Sequence, residues 1–402
     1  MCEDVQREAA LQRSANEAAM KTMAGRQCWK IVAAGLLLAA SAGWLAAPVC
    51  RAQAAAPATA TAKDYRQAQE KARAVAKEWL ARGIPGVSVA VAVDGQIVYA
   101  EGFGYADLEQ RVPVWPSTKF RIASISKPLT ATALMQLVED GKIDLDAPVQ
   151  KYVPSFPDKT PSGGAPMTVR LVAGHLAGIR HYKGDEFEIS RHYESVGEAL
   201  KIFADDPLVS PPGKEFNYSS YGFNLLSAVI ESASGENFLA YMKGHVWVPL
   251  GLYSTSADEV SEIVPARARW YVREKDGTVH NAPFVDNSYK WAGGGFLSTA
   301  TDLAHFGSAL LQPGFLKAES LRTLFTSQKT SDGRETGYGV GWGVGKSKSG
   351  QRVYEHAGGA MGATSQLILY PDAHVVVAMV CNFSGENSWK REEVEAIGEA
   401  FE

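Results

Sequence analysis

The chain has 402 residues, of which 46% are hydrophobic and 21% charged, and a formal net charge of -4. That composition is globular, excludes collagenous, coiled-coil and disordered classes, and with no Lys/Arg block gives no footprint for nucleic acid. Four cysteines rule out a disulfide scaffold.

Lys21, Arg26 and Lys30 precede an apolar run, Ile31 to Ala47, which ends near Ala52-Gln53-Ala54. This is the order of a secretory signal peptide. The expected organisation is a signal peptide over 1–54, with possible starts at Met20 or Met23, a linker over 55–64 and a catalytic domain over 65–402. The apolar run is short for a membrane span, which needs about 20 residues. The expected location is therefore periplasmic or secreted, with an inner-membrane anchor if the segment is retained. Cleavage would leave Cys381 as the single cysteine.

Helix formers fill 65–82, and Gly83 and Pro85 stop them. Val87–Val93, Asp94-Gly95 and the following QIVYA predict a β-hairpin. The middle of the chain, roughly 124–330, reads as helices and long loops, with amphipathic segments at 129–140 and 221–234 that end at Gly141 and Gly235. Ser298 to Asp302 resembles a capping box opening a helix through Leu311. Strand patterns return at 337–345, 351–356, 363–370 and 374–381, and 389–401 is an amphipathic helix. Strands at both ends with helices between them predict one sheet built from both ends of the chain, with the site where the helical insertion meets it.

Four segments carry candidate chemistry. In Ser124-Ile125-Ser126-Lys127 the lysine falls one helical turn after the first serine, within reach of its hydroxyl, and Pro128 places both in a first turn. A desolvated lysine is neutral and can take the serine proton. A plain N-cap role for Ser124 or Ser126 is the alternative. Tyr218-Ser219-Ser220 stands at a loop–helix junction, where a cation could lower the phenol pKa for proton relay or the ring could simply pack. His356-Ala357-Gly358-Gly359 ends a strand whose N–H could join that of Ser124 in an oxyanion hole, or it is a turn with a surface histidine. Gly293-Gly294-Gly295 between aromatics is either a cleft wall or a tight loop. The chain lacks a G-x-S-x-G elbow, zinc-binding clusters and nucleotide-binding loops, and the spacing of His175, His181 and His192 does not suit a metal. No metal and no cofactor are expected.

In chain order, Ser124-x-x-Lys127, Tyr218-Ser219-Ser220 and His356-Ala357-Gly358 resemble the S-x-x-K, Y-x-N and K-T-G elements of penicillin-recognising serine enzymes. The tyrosine form is that of class C β-lactamases, D-alanyl-D-alanine carboxypeptidases and related esterases. Segments 168–182, 285–303 and 356–363 resemble the serine β-lactamase-like family of animal mitochondria and its bacterial relatives. The resemblance implies an α/β (α+β) β-lactamase/transpeptidase-like fold, an antiparallel sheet with an inserted helical subdomain. It implies Ser124 as nucleophile, Lys127 and Tyr218 as proton carriers, and the N–H groups of Ser124 and Gly359 as the oxyanion hole. Ser220, His356, Gly358, Gly294 and Gly295 would bind substrate.

Two positions depart from the pattern. Ser220 stands for the asparagine, and His356 for the lysine, so the fixed positive charge becomes one that titrates. Both favour a peptidase or esterase, exported and acting through an acyl-enzyme on a small molecule or peptide. The alternatives are a true class C-type β-lactamase or D-Ala-D-Ala carboxypeptidase, and a non-catalytic structural or filament-forming member. The expected partner is the substrate, with a homo-oligomer of the chain left open.

Overall fold

The computed structural model describes residues 63–385 and 389–402. The expected signal peptide and most of the linker lie outside the described residues. Helix α1 spans Arg66–Ala81 and leads into strand β1, Gly86–Val93, and strand β2, Gln96–Asp107. The turn between the strands is the expected Asp94-Gly95. Both residues have positive φ, 51° and 79°, as a two-residue hairpin matching the twist of its strands requires.

Strand β3 is Val112–Pro113. After the central region come β4 (Gly343–Lys346), β5 (Arg352–Ala360), β6 (Ala363–Tyr370) and β7 (Val375–Cys381). These seven strands form one antiparallel sheet in the order β3-β2-β1-β7-β6-β5-β4. The two ends of the chain meet at its centre, where Val87 pairs with Cys381 and Val93 with Val375.

Every residue of β1 is buried, and alternation divides them between two layers. Val87, Val89 and Val91 pack with α1 and the C-terminal helix, while Ala90 and Ala92 join the core of the helical side. The central region contributes α2 (Ser126–Glu139), α3 (Ser220–Ser234) and α4 (Ala300–Ala309), and the last helix, α5, is Arg391–Ala400. Gly307 lets α4 approach the sheet, since a Cβ there would lie 2.7 Å from Val376 Cγ1. Gly235 ends α3 in the left-handed conformation, as its position in the sequence predicts.

One expected strand is largely absent. Of 337–345 only 343–345 join the sheet, because Gly337 and Gly341 take positive φ and bend the chain beneath α2. A Cβ on Gly341 would stand 2.6 Å from Ala131 Cβ, so the glycines serve close packing there. Among the described residues no helix is long and apolar enough to cross a membrane.

Candidate active site

Ser124 sits on a 3-10 turn, Ala123–Ile125, that runs directly into α2. Ala123 has φ of 48°, a conformation that costs a non-glycine residue about 1–3 kcal/mol and must be held from outside. It is held on both sides. The Ile122 N–H donates to Phe296 O at 3.0 Å, and Ser365 Oγ donates to Ile122 O at 2.8 Å. Neither serine caps the helix. Ser126 Oγ accepts the Phe296 N–H and fixes the turn to its neighbour, leaving half-exposed Ser124 to face the cleft.

The next turn of α2 carries Lys127, which is fully buried. Its Nζ lies 3.0 Å from Ser124 Oγ, 3.0 Å from Ser220 Oγ and 2.5 Å from Gly293 O. Burial, assisted by the charge of Lys290, pushes the amine well below its ordinary pKa. The Gly293 carbonyl can only accept, so it takes one N–H of the amine, whose unprotonated form the burial favours. The lone pair remains for the proton of Ser124. This is the geometry of a serine activated by a neutral lysine.

Tyr218 completes the group. Its hydroxyl feels that of Ser124, and its ring stands 4.7 Å from Lys127 Nζ. The idea of a cation-lowered phenol fails, because burial raises the Tyr218 pKa above the ordinary value. The residue therefore carries its proton at neutral pH and can donate it.

Sequence reasoning gave no role to the residue that positions this tyrosine. His175 has φ of 60°, and its carbonyl accepts the Asn217 N–H at 2.8 Å. Its Nδ1 accepts the Ser219 N–H at 3.1 Å, so one histidine grips the backbone on either side of Tyr218. The rings lie 4.4 Å apart. His181 accepts the Ser220 N–H and presents its ring edge-on to Tyr218. Spacing gave no hint of either, because the histidines converge through a loop. His192 does not join them and pairs with Asp286. Among the described residues no group of three His, Cys, Asp or Glu could hold a metal ion.

His356 corrects an expectation. It is buried, and its Nδ1 lies 2.7 Å from Ala357 O, a pure acceptor, so Nδ1 carries the proton. Its Nε2 then accepts the Tyr338 hydroxyl at 2.9 Å. Burial, with the charge of Lys127, pushes the pKa down to about 3. The residue is neutral near pH 7 and gives a substrate carboxylate no cation.

The glycines also divide. Gly358 is a packing position, since a Cβ there would lie 2.4 Å from Ile122 O and 2.2 Å from Ser365 Oγ. It lets β5 lie directly against the Ser124 turn rather than touching substrate. Gly359 faces open space. Strand β4 pairs with β5 only over Arg352–Glu355, so the edge from His356 to Ala360 is unpaired beside Ser124. That edge is where the N–H of Gly359 would meet an oxyanion. Gly295 is buried beneath Trp291, its virtual Cβ 2.7 Å from Cε3, and is not a cleft wall. Gly294 also lies near the nucleophile turn, with its virtual Cβ 3.7 Å from the Ala123 carbonyl carbon. Ser220, in place of asparagine, is turned toward Lys127, whose Nζ donates to its hydroxyl.

Lys290, immediately before Trp291, escaped the sequence analysis. It is buried at 2% exposure, and burial beside Arg121 pushes its pKa down to about 7. Its Cδ lies 4.0 Å from the virtual Cβ of Gly294, which places it against the same turn.

A family model described as Beta-lactamase matches residues 58–400. The human mitochondrial serine beta-lactamase-like protein LACTB is 36% identical over 403 aligned positions, covering 75% of this chain and 74% of that protein. Penicillin-binding protein 4* of Bacillus subtilis is 26% identical, covering 76% of this chain and 69% of that protein. The octameric penicillin-binding protein homologue from Pyrococcus abyssi superimposes with a TM-score of 0.71 at 27% identity, covering 83% of this chain and 76% of that chain.

Proposed function

The chain belongs to the beta-lactamase family of serine hydrolases, and from that premise we propose that it cleaves ester or amide bonds through an acyl-enzyme on Ser124, as an exported peptidase or esterase. The observation that carries this is the 3.0 Å approach of the Ser124 hydroxyl to the buried amine of Lys127, whose pKa burial lowers.

In the reaction Ser124 Oγ attacks the carbonyl carbon as its proton passes to Lys127 Nζ. The oxyanion forms toward the N–H groups of Ser124 and Gly359. Tyr218 gives its proton to the leaving group as the carbonyl–heteroatom bond breaks, and Lys127 returns a proton to Tyr218. Water then attacks the ester on Ser124, and the same groups carry its proton back to Ser124 Oγ.

Export rests on the charge, apolar run and small-residue exit of residues 21–54. Assembly into a homo-oligomer is supported by the octameric Pyrococcus homologue. Neutral His356 favours a peptidase or esterase over a true β-lactamase, whose substrates carry a carboxylate at the strand side of the site.

Labelling of the purified protein with a fluorophosphonate, read by intact mass, tests the proposal. One adduct on Ser124, absent in Ser124→Ala while the fold is retained, is the expected result. Labelling that survives Ser124→Ala overturns it.

A further inference from the structure

Arg121 lies three residues before the nucleophile and ties its segment to the end of β5. It belongs to the short strand Phe120–Arg121, which pairs with Phe296–Ser298 and leads into the Ser124 turn. Its Nε meets Asp258 Oδ2 at 2.6 Å, and the two side chains are 5% and 1% exposed. Its Nη1 donates to Met361 O at 2.9 Å, and its guanidinium lies over the Trp270 ring, 4.6 Å from the centre. Asp258 is itself fixed. Its carboxylate accepts Asn287 Nδ2 at 2.8 Å, and its N–H donates to Gly295 O at 2.8 Å.

The acceptor, Met361 O, sits at a sensitive place. Met361 and Gly362 make the two-residue turn from β5 to β6, closed by the pairing of Ala360 with Ala363. Gly362 lets that turn rest on Trp270, since a Cβ there would stand 2.5 Å from Trp270 Cβ. The guanidinium is thus held between Trp270 and the end of β5, two residues beyond Gly359. An oxyanion hole works when its N–H groups are spaced before the charge appears. Here they come from separate segments, Ser124 from the turn and Gly359 from a strand that β4 leaves after Glu355. Links between those segments therefore set the spacing. Ser365 Oγ on Ile122 O is one, and Arg121 on Met361 O is another. The planar fork of arginine serves Asp258 and Met361 at once, which a single ammonium does not do in fixed geometry.

We propose that Arg121 is a positioning residue of the oxyanion hole: anchored on Asp258, it holds the end of β5 where the Gly359 N–H meets the charge that develops beside Ser124. The inference rests on the hydrolase reading above. Arg121 acts through the β5 backbone without touching substrate, and the covalent steps stay with Ser124, Lys127 and Tyr218.

The test is the ratio of kcat/KM for 4-nitrophenyl acetate to that for its thiono analogue, in which sulfur replaces the carbonyl oxygen. Sulfur is a weak hydrogen-bond acceptor on a longer bond, so the ratio reads how well the oxyanion fits its hole. The full-length native protein is compared with Arg121→Lys and with the double variant Arg121→Gln, Asp258→Asn. The first keeps a cation beside Asp258 but gives up the fork, and the second leaves no member of the pair charged alone. The native ratio should exceed that for hydroxide in solution by about tenfold or more, and should fall by a similar factor in either variant. The acid limb of the pH–rate profile, set by Lys127, should not move. A general loosening of the fold slows both esters together and leaves the ratio alone. A native ratio no greater than the hydroxide ratio overturns the proposal whatever the folding of the variants, and so does a native ratio retained in a variant that folds. No hydrolysis of either ester and no labelling of Ser124 brings down the hydrolase reading and this inference with it, whereas hydrolysis with an unmoved ratio brings down this inference alone.

Discussion

The phenol of Tyr338 and the imidazole of His356 meet at 2.9 Å in a buried contact that fixes the histidine as a neutral acceptor. The pKa of His356 lies at about 3, so it does not change charge between about pH 5 and 8. The KM for an anionic substrate carries no component from this residue in that range. A KM step near pH 6.5 that disappears in His356→Gln would contradict the assignment.

The same depression has a consequence for stability. His175 is pushed well below its ordinary value by burial and by Lys127, in the same direction as His356. In the unfolded chain both would take a proton below about pH 6.5, and in the folded protein they resist it. Their contribution is complete above that pH and is lost as the pH falls toward the folded values. Each buried histidine costs up to about 1.4 kcal/mol per pH unit in that window. The melting temperature should drop between about pH 7 and 5, and His356→Gln should shallow the slope. A slope identical in the variant would refute this.

Lys127 is the base only while unprotonated. Its lowered pKa keeps the free amine available at neutral pH, and kcat/KM should fall on the acid side as the amine gains a proton. Lys127→Ala should lower kcat by about 10²–10⁴. Lys127→Arg should not rescue it, because guanidinium does not deprotonate. Replacing Lys290 by Met removes one of the two causes of the depression, so the acid limb should move to higher pH. An unmoved limb in the pH–rate profile would show that the two amines are uncoupled.

Lys290 has a titration of its own. Its pKa of about 7 is set by burial and Arg121 against Asp258, and Lys127 and His181 are the other titratable groups that feel its charge. Its positive form dominates below that pH.

Tyr218→Phe removes the proton donor while leaving the ring packed against His175 at 4.4 Å. Turnover should fall by about 10²–10⁴ with the melting temperature nearly unchanged. Steady-state kinetics and calorimetry on the same sample separate this from a packing role, which would move both.

Gly358→Ala and Gly359→Ala make a matched pair. The first drives a methyl into Ile122 O and Ser365 Oγ, which hold the strained turn, while the second meets nothing within 4 Å. Activity should collapse in the first variant and the fold should accept the second, as read by Ser124 labelling and thermal melts.

Much of this was legible in the sequence because it is local. The Asp94-Gly95 hairpin, the stop at Gly235 and the extents of β6 and β7 follow from alternation and turn chemistry. The Ser124–Lys127 pair is one helical turn, so spacing alone sets the distance. What remained hidden depends on chain segments far apart. Nothing in the letters around His356 says that Tyr338 will sit on its Nε2, and that contact removes the charge the position was expected to carry. Lys290 looks like an ordinary surface lysine until Phe187, from another loop, closes over it. The glycines of 337–345 read as strand because alternation cannot distinguish a bare strand face from a bend under α2.

The pairing of Val87 with Cys381 sets the order in which the molecule can be made. Strand β1 is synthesised early, but its central partner emerges only with the last segment of the chain, and α1 finds α5 later still. Until β6 and β7 are made, the main sheet is open and the Ser124 turn lacks the Ser365 brace. Closing so distant a contact is slow, and the waiting chain exposes its apolar strands. The unfinished chain is in this sense a client for chaperones until β7 has emerged, and loss of β6 and β7 would leave β1 as an uncovered edge rather than a shortened enzyme.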